Sequence, residues 1–80
     1  MRWEFEWCQV QYGRITYVNG AWKGEGDASN EKMNTCPNVW QYINERGKDG
    51  WEIASSHGYE VVAGDVQDAI QVVILKRQLK

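Results

Sequence analysis

The run Ala69-Ile70-Gln71-Val72-Val73-Ile74-Leu75 is apolar on both parities of a period-two pattern. A strand with two apolar faces belongs in the middle of a sheet, so the chain is built around a central strand near its C-terminal end. If the N-terminal strand pairs with it antiparallel, Glu4 and Glu6 fall near Arg77 and Leu75, with Lys76 close by. Opposite charges across strands favour that pairing by about 0.2–1 kcal/mol.

Residues 2–12 read as that N-terminal strand, with a phase that changes midway. Trp3, Phe5 and Trp7 alternate with Arg2, Glu4 and Glu6, after which Cys8, Val10 and Tyr12 alternate with Gln9 and Gln11. A period of two passes from odd to even when one residue is inserted, which predicts a β-bulge near Trp7–Cys8. The alternative is a strand buried on both faces in its middle. Next comes Ile15-Thr16-Tyr17-Val18, then Asn19-Gly20 and Ala21-Trp22-Lys23. Asn-Gly between β-formers predicts a tight hairpin pairing Tyr17 with Trp22, because both turn positions need positive φ. Gly13-Arg14 is the competing turn. Residues 24–34, rich in Gly, Asp, Ser and Asn, read as an exposed loop.

A short helix follows. Thr35 or Cys36 precedes Pro37, which suits a first helical turn, and Val39, Trp40 and Ile43 make one apolar face. Gly47 stands where a left-handed cap is expected, and Asp49-Gly50 turns the chain into the strand Trp51–Ser55. Tyr59-Glu60-Val61-Val62 then leads to a turn at Gly64-Asp65. The expected fold is α+β, in the order ββαββ: an antiparallel sheet with one helix packed on one face, forming a single domain over residues 1–80.

The segment Tyr42-Ile43-Asn44-Glu45-Arg46-Gly47-Lys48-Asp49-Gly50-Trp51-Glu52-Ile53 resembles the small bacterial family called domain of unknown function 4177. That family's hallmark is a helix end Leu-Asn-x-x-Gly, two residues, then Gly-Trp-Glu-Leu entering a strand. Ile43-Asn44, Gly47 and Gly50-Trp51-Glu52-Ile53 match it with conservative changes, and Trp3-Glu4-Phe5 and Leu75-Lys76-Arg77 also fit. The resemblance covers residues 2–10 and 37–80, and it implies that 13–36 is an inserted hairpin and loop. It transfers no catalytic residue, since the family's activity is unassigned. Physically the motif is structural: Gly47 ends the helix, Gly50 makes the turn, Trp51 packs back on the helix and Glu52 faces the other side. A ligand contact is the second reading of Trp51.

Function is less legible. A chain of 80 residues buries only about 60–65% of the surface its unfolded form exposes. Five Trp, four Tyr and one Phe are more than one helix and one sheet face can enclose, at roughly 150–250 Å² each. A net charge of −2 without a basic stripe argues against nucleic acid, whose affinity rests on phosphate neutralisation. No stretch approaches the ~20 apolar residues of a membrane span. Two Cys without a secretory segment point to free thiols in a reducing cytoplasm, with a Cys8–Cys36 disulfide as the alternative. No close ligand pair such as Cys-x-x-Cys marks a metal site, and no phosphate loop or other cofactor motif occurs.

Two enzyme readings compete with structural ones. Cys36 beside a helix start and His57 after the third strand would make a thiolate–imidazole pair; otherwise they are a small junction residue and a solvated turn residue. Glu4 and Glu6 share a strand face but stand beside Lys and Arg partners, as solvated carboxylates would. The aromatic surplus points elsewhere, to an interaction or binding module that self-associates through Trp3, Phe5, Trp7, Tyr17 and Trp22. The alternatives are the small Cys/His enzyme and a single-stranded nucleic-acid or small-ligand binder using an aromatic sheet face.

Overall fold

The computed structural model describes the backbone of residues 2–63 and 66–79 and the side chains of 2–58 and 70–79. Five strands form one antiparallel sheet: β1 (Arg2–Gln11), β2 (Arg14–Val18), β3 (Ala21–Trp22), β4 (Glu52–Ala63) and β5 (Val66–Leu79). Their order across the sheet is β3-β2-β1-β5-β4, which puts the doubly apolar C-terminal strand between two neighbours. One helix, α1 (Val39–Lys48), packs on one face. The turn expected at Gly64-Asp65 lies outside the described residues.

The Asn19-Gly20 turn forms as expected, and another forms one residue earlier than Gly13-Arg14, at Tyr12-Gly13 with Arg14 already in β2. Tyr12 and Gly13 have φ of 53° and 73°, Asn19 and Gly20 of 50° and 84°. Two-residue turns with both central φ positive match the right-handed twist of the strands they join. The first closes β1 on β2 and the second β2 on β3, pairing Tyr17 with Trp22. In the β1–β5 ladder Glu4 lies opposite Arg77 and Glu6 opposite Leu75, the register that charge pairing favours.

The phase change expected in β1 is absent. Glu6, Cys8 and Val10 are buried while Trp3, Phe5 and Trp7 are exposed, so the period of two runs unbroken. Neither a bulge at Trp7–Cys8 nor burial on both faces describes it. The irregularity lies instead in the β1–β2 pairing, where Gln9 meets Tyr17 but Val10 meets Ile15. Thr16 is the extra residue, fully buried, with its hydroxyl donating to Gln11 Oε1 at 2.9 Å.

Of residues 13–36, β2 and β3 are woven into the sheet. β2 buries Ile15, whose N–H donates to the Pro37 carbonyl at 2.9 Å, while Val39 N–H donates to the Gly13 carbonyl at 3.0 Å. The expected loop is exposed over 25–32 and contains a 3₁₀ helix over Asn30–Thr35 capped by Ser29. β4 begins at Glu52, one residue after the expected Trp51, and runs through Tyr59–Val62 as one strand with an irregularity between Ile53 and Ser55, so His57 sits within a strand.

Helix α1 starts two residues later than Pro37 suggests. Asn38 is the N-cap, its side chain accepting from Trp40 N–H at 3.0 Å and Gln41 N–H at 3.3 Å. Neither Cys36 nor Pro37 offers a side-chain acceptor of that strength. The face toward the sheet is Val39, Tyr42 and Ile43, at i, i+3 and i+4, with Arg46 at i+7 also turned inward. Trp40, one residue round from that stripe, is 67% exposed, contrary to its place in the expected apolar face.

Gly47 lies inside the helix, and the left-handed residue is Gly50, with φ 90°. Gly50 N–H donates to the Gly47 carbonyl at 3.1 Å and Trp51 N–H to the Arg46 carbonyl at 3.2 Å. This pair of bonds is the Schellman closure, which satisfies the last carbonyls. A Cβ on Gly50 would meet only Arg77 carbons at ordinary contact distance, so the penalty there is conformational. Gly50→Val is expected to lose more than about 1 kcal/mol. Gly47→Ala, with open space and no positive φ, is expected to gain about 0.5–1 kcal/mol. Thermal melts of both variants test the pair; a Gly50→Val melt matching wild type would remove this account of the turn.

Candidate functional site

The helix side of the sheet holds a buried polar cluster. Glu6, 6% exposed, accepts from the Tyr42 hydroxyl and from Arg46 Nη2 at 2.6 Å. Tyr42 and Arg46 are four apart on α1, so one helix face brings both groups to one carboxylate. Glu6 was expected to be a solvated partner of Lys or Arg; it is a buried one. Burial, and then the neighbouring Glu6, push the Tyr42 hydroxyl above its usual pKa. Burial pushes the Cys8 thiol up to about 12, with Glu6 adding to the effect. Cys8 is therefore a protonated, small apolar group, as its place in mid-strand suggests.

Trp51 sits beside this cluster, 9% exposed. The guanidinium groups of Arg46 and Arg77 each lie 4.8 Å from its ring centroid. Arg77 pairs in turn with Glu4 and donates to the Asp49 carbonyl at 3.3 Å. Glu52 faces the other side and meets Lys76 Nζ at 3.6 Å. The Gly47, Gly50, Trp51, Glu52 segment thus binds helix to sheet. The indole N–H of Trp51 has no acceptor among the described residues.

The Cys36 and His57 side chains are not brought together. Cys36 is 2% exposed, burial pushes its thiol up, and its carbonyl accepts from Arg14 of β2 at 2.8 Å. His57 is exposed on β4. β1 and β5 stand between β2 and β4, a separation on the order of 14 Å for three strand spacings. Both cysteines are free, and among the described residues no group of three His, Cys, Asp or Glu could hold a metal ion.

Among the described residues no helix covers the other sheet face. Trp3, Phe5 and Trp7 run along β1 on this side, 39%, 60% and 42% exposed. Register places Gln78, Lys76 and Ile74 of β5 opposite them, with Lys76 Nζ 4.4 Å from the Trp3 ring centroid. Tyr17 and Trp22 extend the face onto β2 and β3, their rings 5.5 Å apart in an edge contact. These two are half-buried. Trp22 also packs so closely on Gly24 that a Cβ there would lie 2.5 Å from its ring, so it anchors the following loop. Of the five aromatic residues singled out in the sequence, three present large open surfaces.

Comparison with family models, with curated proteins and with solved structures yields no match for this chain. No helix among the described residues is long and apolar enough to cross a membrane.

Proposed function

We propose that this chain is a small non-enzymatic interaction module that associates with a second copy of itself through the open sheet face. The observation that carries the reading is the row Trp3, Phe5 and Trp7, exposed side by side on a face that no helix among the described residues covers. At about 200 Å² per aromatic side chain, the three rings leave about 300 Å² wet, within the range of the largest patches on soluble domains, which are often functional. Strand spacing and rise give the whole face about 600 Å², near the ~800 Å² each partner contributes to a standard interface.

Lys76 and Glu52 pair with each other on this face, so it carries no net charge from them. Such a face suits an uncharged surface like itself better than a phosphate backbone. A two-fold dimer needs only one self-complementary patch. On the helix–turn–Gly-Trp-Glu-Ile segment we also group the chain with the small bacterial family it resembles. Two buried, unpaired thiols support a reducing compartment, the cytoplasm.

Light scattering across a dilution series tests the reading. Wild type is expected to be a homodimer that dissociates on dilution. Phe5→Ser with Trp7→Ser is expected to weaken it by about 100-fold or more, as loss of central aromatic anchors does, with an unchanged fold by circular dichroism. A wild-type chain that stays monomeric at high concentration, or a double variant that dimerises as well as wild type, would sink the proposal.

A further inference from the structure

On the opposite face, α1 leaves part of the sheet uncovered, and a groove of about 400 Å³ opens between the helix and β4. Val10 and Val73, both buried, form its floor. Val39 and Ile43 line it from the helix and Ile53 from β4. At the exposed mouth Gln71 Nε2 donates to Ser56 Oγ at 2.8 Å, with Trp40 at the rim.

We propose that this groove is a binding site for a small uncharged amphiphile, a molecule with an apolar body and one hydroxyl or carbonyl group. Three features select that class. The volume falls within the roughly 300–1,000 Å³ of small-molecule sites. Among the described residues no charged side chain lines the groove, so an ionised group carried into it would lose its water without gaining a partner there. The bonded Gln71–Ser56 pair keeps the Gln71 carbonyl oxygen to accept and the Ser56 hydroxyl proton to donate. It would hold the polar end at the mouth while the apolar body lies over Val10 and Val73. A few placed polar groups in an apolar lining are what orient a ligand. The site is separate from the aromatic face, so neither proposal depends on the other.

The uncharged dye N-phenyl-1-naphthylamine, titrated into the full chain and followed by its emission, tests the site. Saturable binding of one dye per chain is expected, displaced by 1-decanol, with ionised decanoate weaker by about tenfold or more. Ser56→Trp, which fills the mouth, and Ile53→Glu, which charges its wall, alter exposed positions; each is expected to weaken the dye by about tenfold or more while the melting temperature holds. Phe5→Ser with Trp7→Ser is expected to leave dye affinity unchanged while weakening self-association. Absence of saturable binding, equal displacement by decanoate, or insensitivity to both groove variants would overturn the proposal. So would loss of the dye in the Phe5/Trp7 variant alone, which would move the ligand to the aromatic face.

Discussion

Trp51→Ala is expected to remove about 3–5 kcal/mol of stability, the range for truncating a large buried aromatic. In a domain of ~5–15 kcal/mol such a loss approaches unfolding. Two effects add here. The indole belongs to the core cluster with Cys8, Val10, Ile15, Val73 and Leu75, so its removal opens a cavity between helix and sheet. It also provides the aromatic surface on which Arg46 and Arg77 rest, each contact adding about 0.5–1 kcal/mol or more where water is partly excluded. Trp51→Phe separates the parts. It keeps an aromatic face, and because the indole N–H has no acceptor among the described residues it sacrifices no hydrogen bond. Urea unfolding followed by circular dichroism should place Trp51→Phe well above Trp51→Leu, and Trp51→Leu above Trp51→Ala. If leucine served as well as phenylalanine, the arginine contacts would carry no weight.

Glu6→Ala is the second large effect, expected at about 2–4 kcal/mol. Removing one partner of a buried ion pair leaves the other charge uncompensated, which costs about 3–5 kcal/mol when both are fully enclosed. Arg46 keeps 30% of its side-chain surface, so water screens part of the loss, but the Tyr42 hydroxyl also loses its acceptor. Glu6→Leu with Arg46→Leu should recover much of the deficit, since an apolar pair avoids both desolvation penalties. In a double-mutant cycle, Glu6→Ala and Arg46→Ala should couple within the roughly 0.5–3 kcal/mol seen for residues in contact. Additive losses would mean that the pair contributes no more than two separate side chains.

Both effects belong to features only half legible in the sequence. Trp51 announced itself: a Gly-Trp-Glu-Ile entry into a strand after a helix end fixes where that ring starts and which way the next residue faces. That Arg46 and Arg77 lie over it did not follow, because they come from a helix and a strand 31 residues apart (77 − 46). Glu6 was misread for the same reason. Its charge suggests water, and the parity of Trp3, Phe5 and Trp7 assigns Glu6 to the opposite, solvated face, with the apolar parity then switching at Cys8. The signal that could have corrected this was Tyr42 and Arg46 four apart on the stripe begun by Val39, a donor pair that an apolar-face reading passed over. Trp40 was misplaced by treating hydrophobicity as burial, when helical phase sets the direction of a side chain.

What the sequence determined by itself is what short-range chemistry dictates. A doubly apolar run must be a central strand, Asn19-Gly20 must turn, Gly50 must take positive φ, and strand alternation sorts Trp3, Phe5 and Trp7 onto one side. These outcomes rest on backbone sterics and on periods of a few residues. Tertiary structure decided the rest: the burial of Glu6, the weaving of β2 into the sheet through Ile15 and Pro37, the distance between Cys36 and His57, and the groove between α1 and β4. Each depends on which face of one element meets another across 20 or more residues. Loop-closure entropy makes such meetings only weakly dependent on local sequence, so it is collective packing, settled once for the whole molecule, that selects among them.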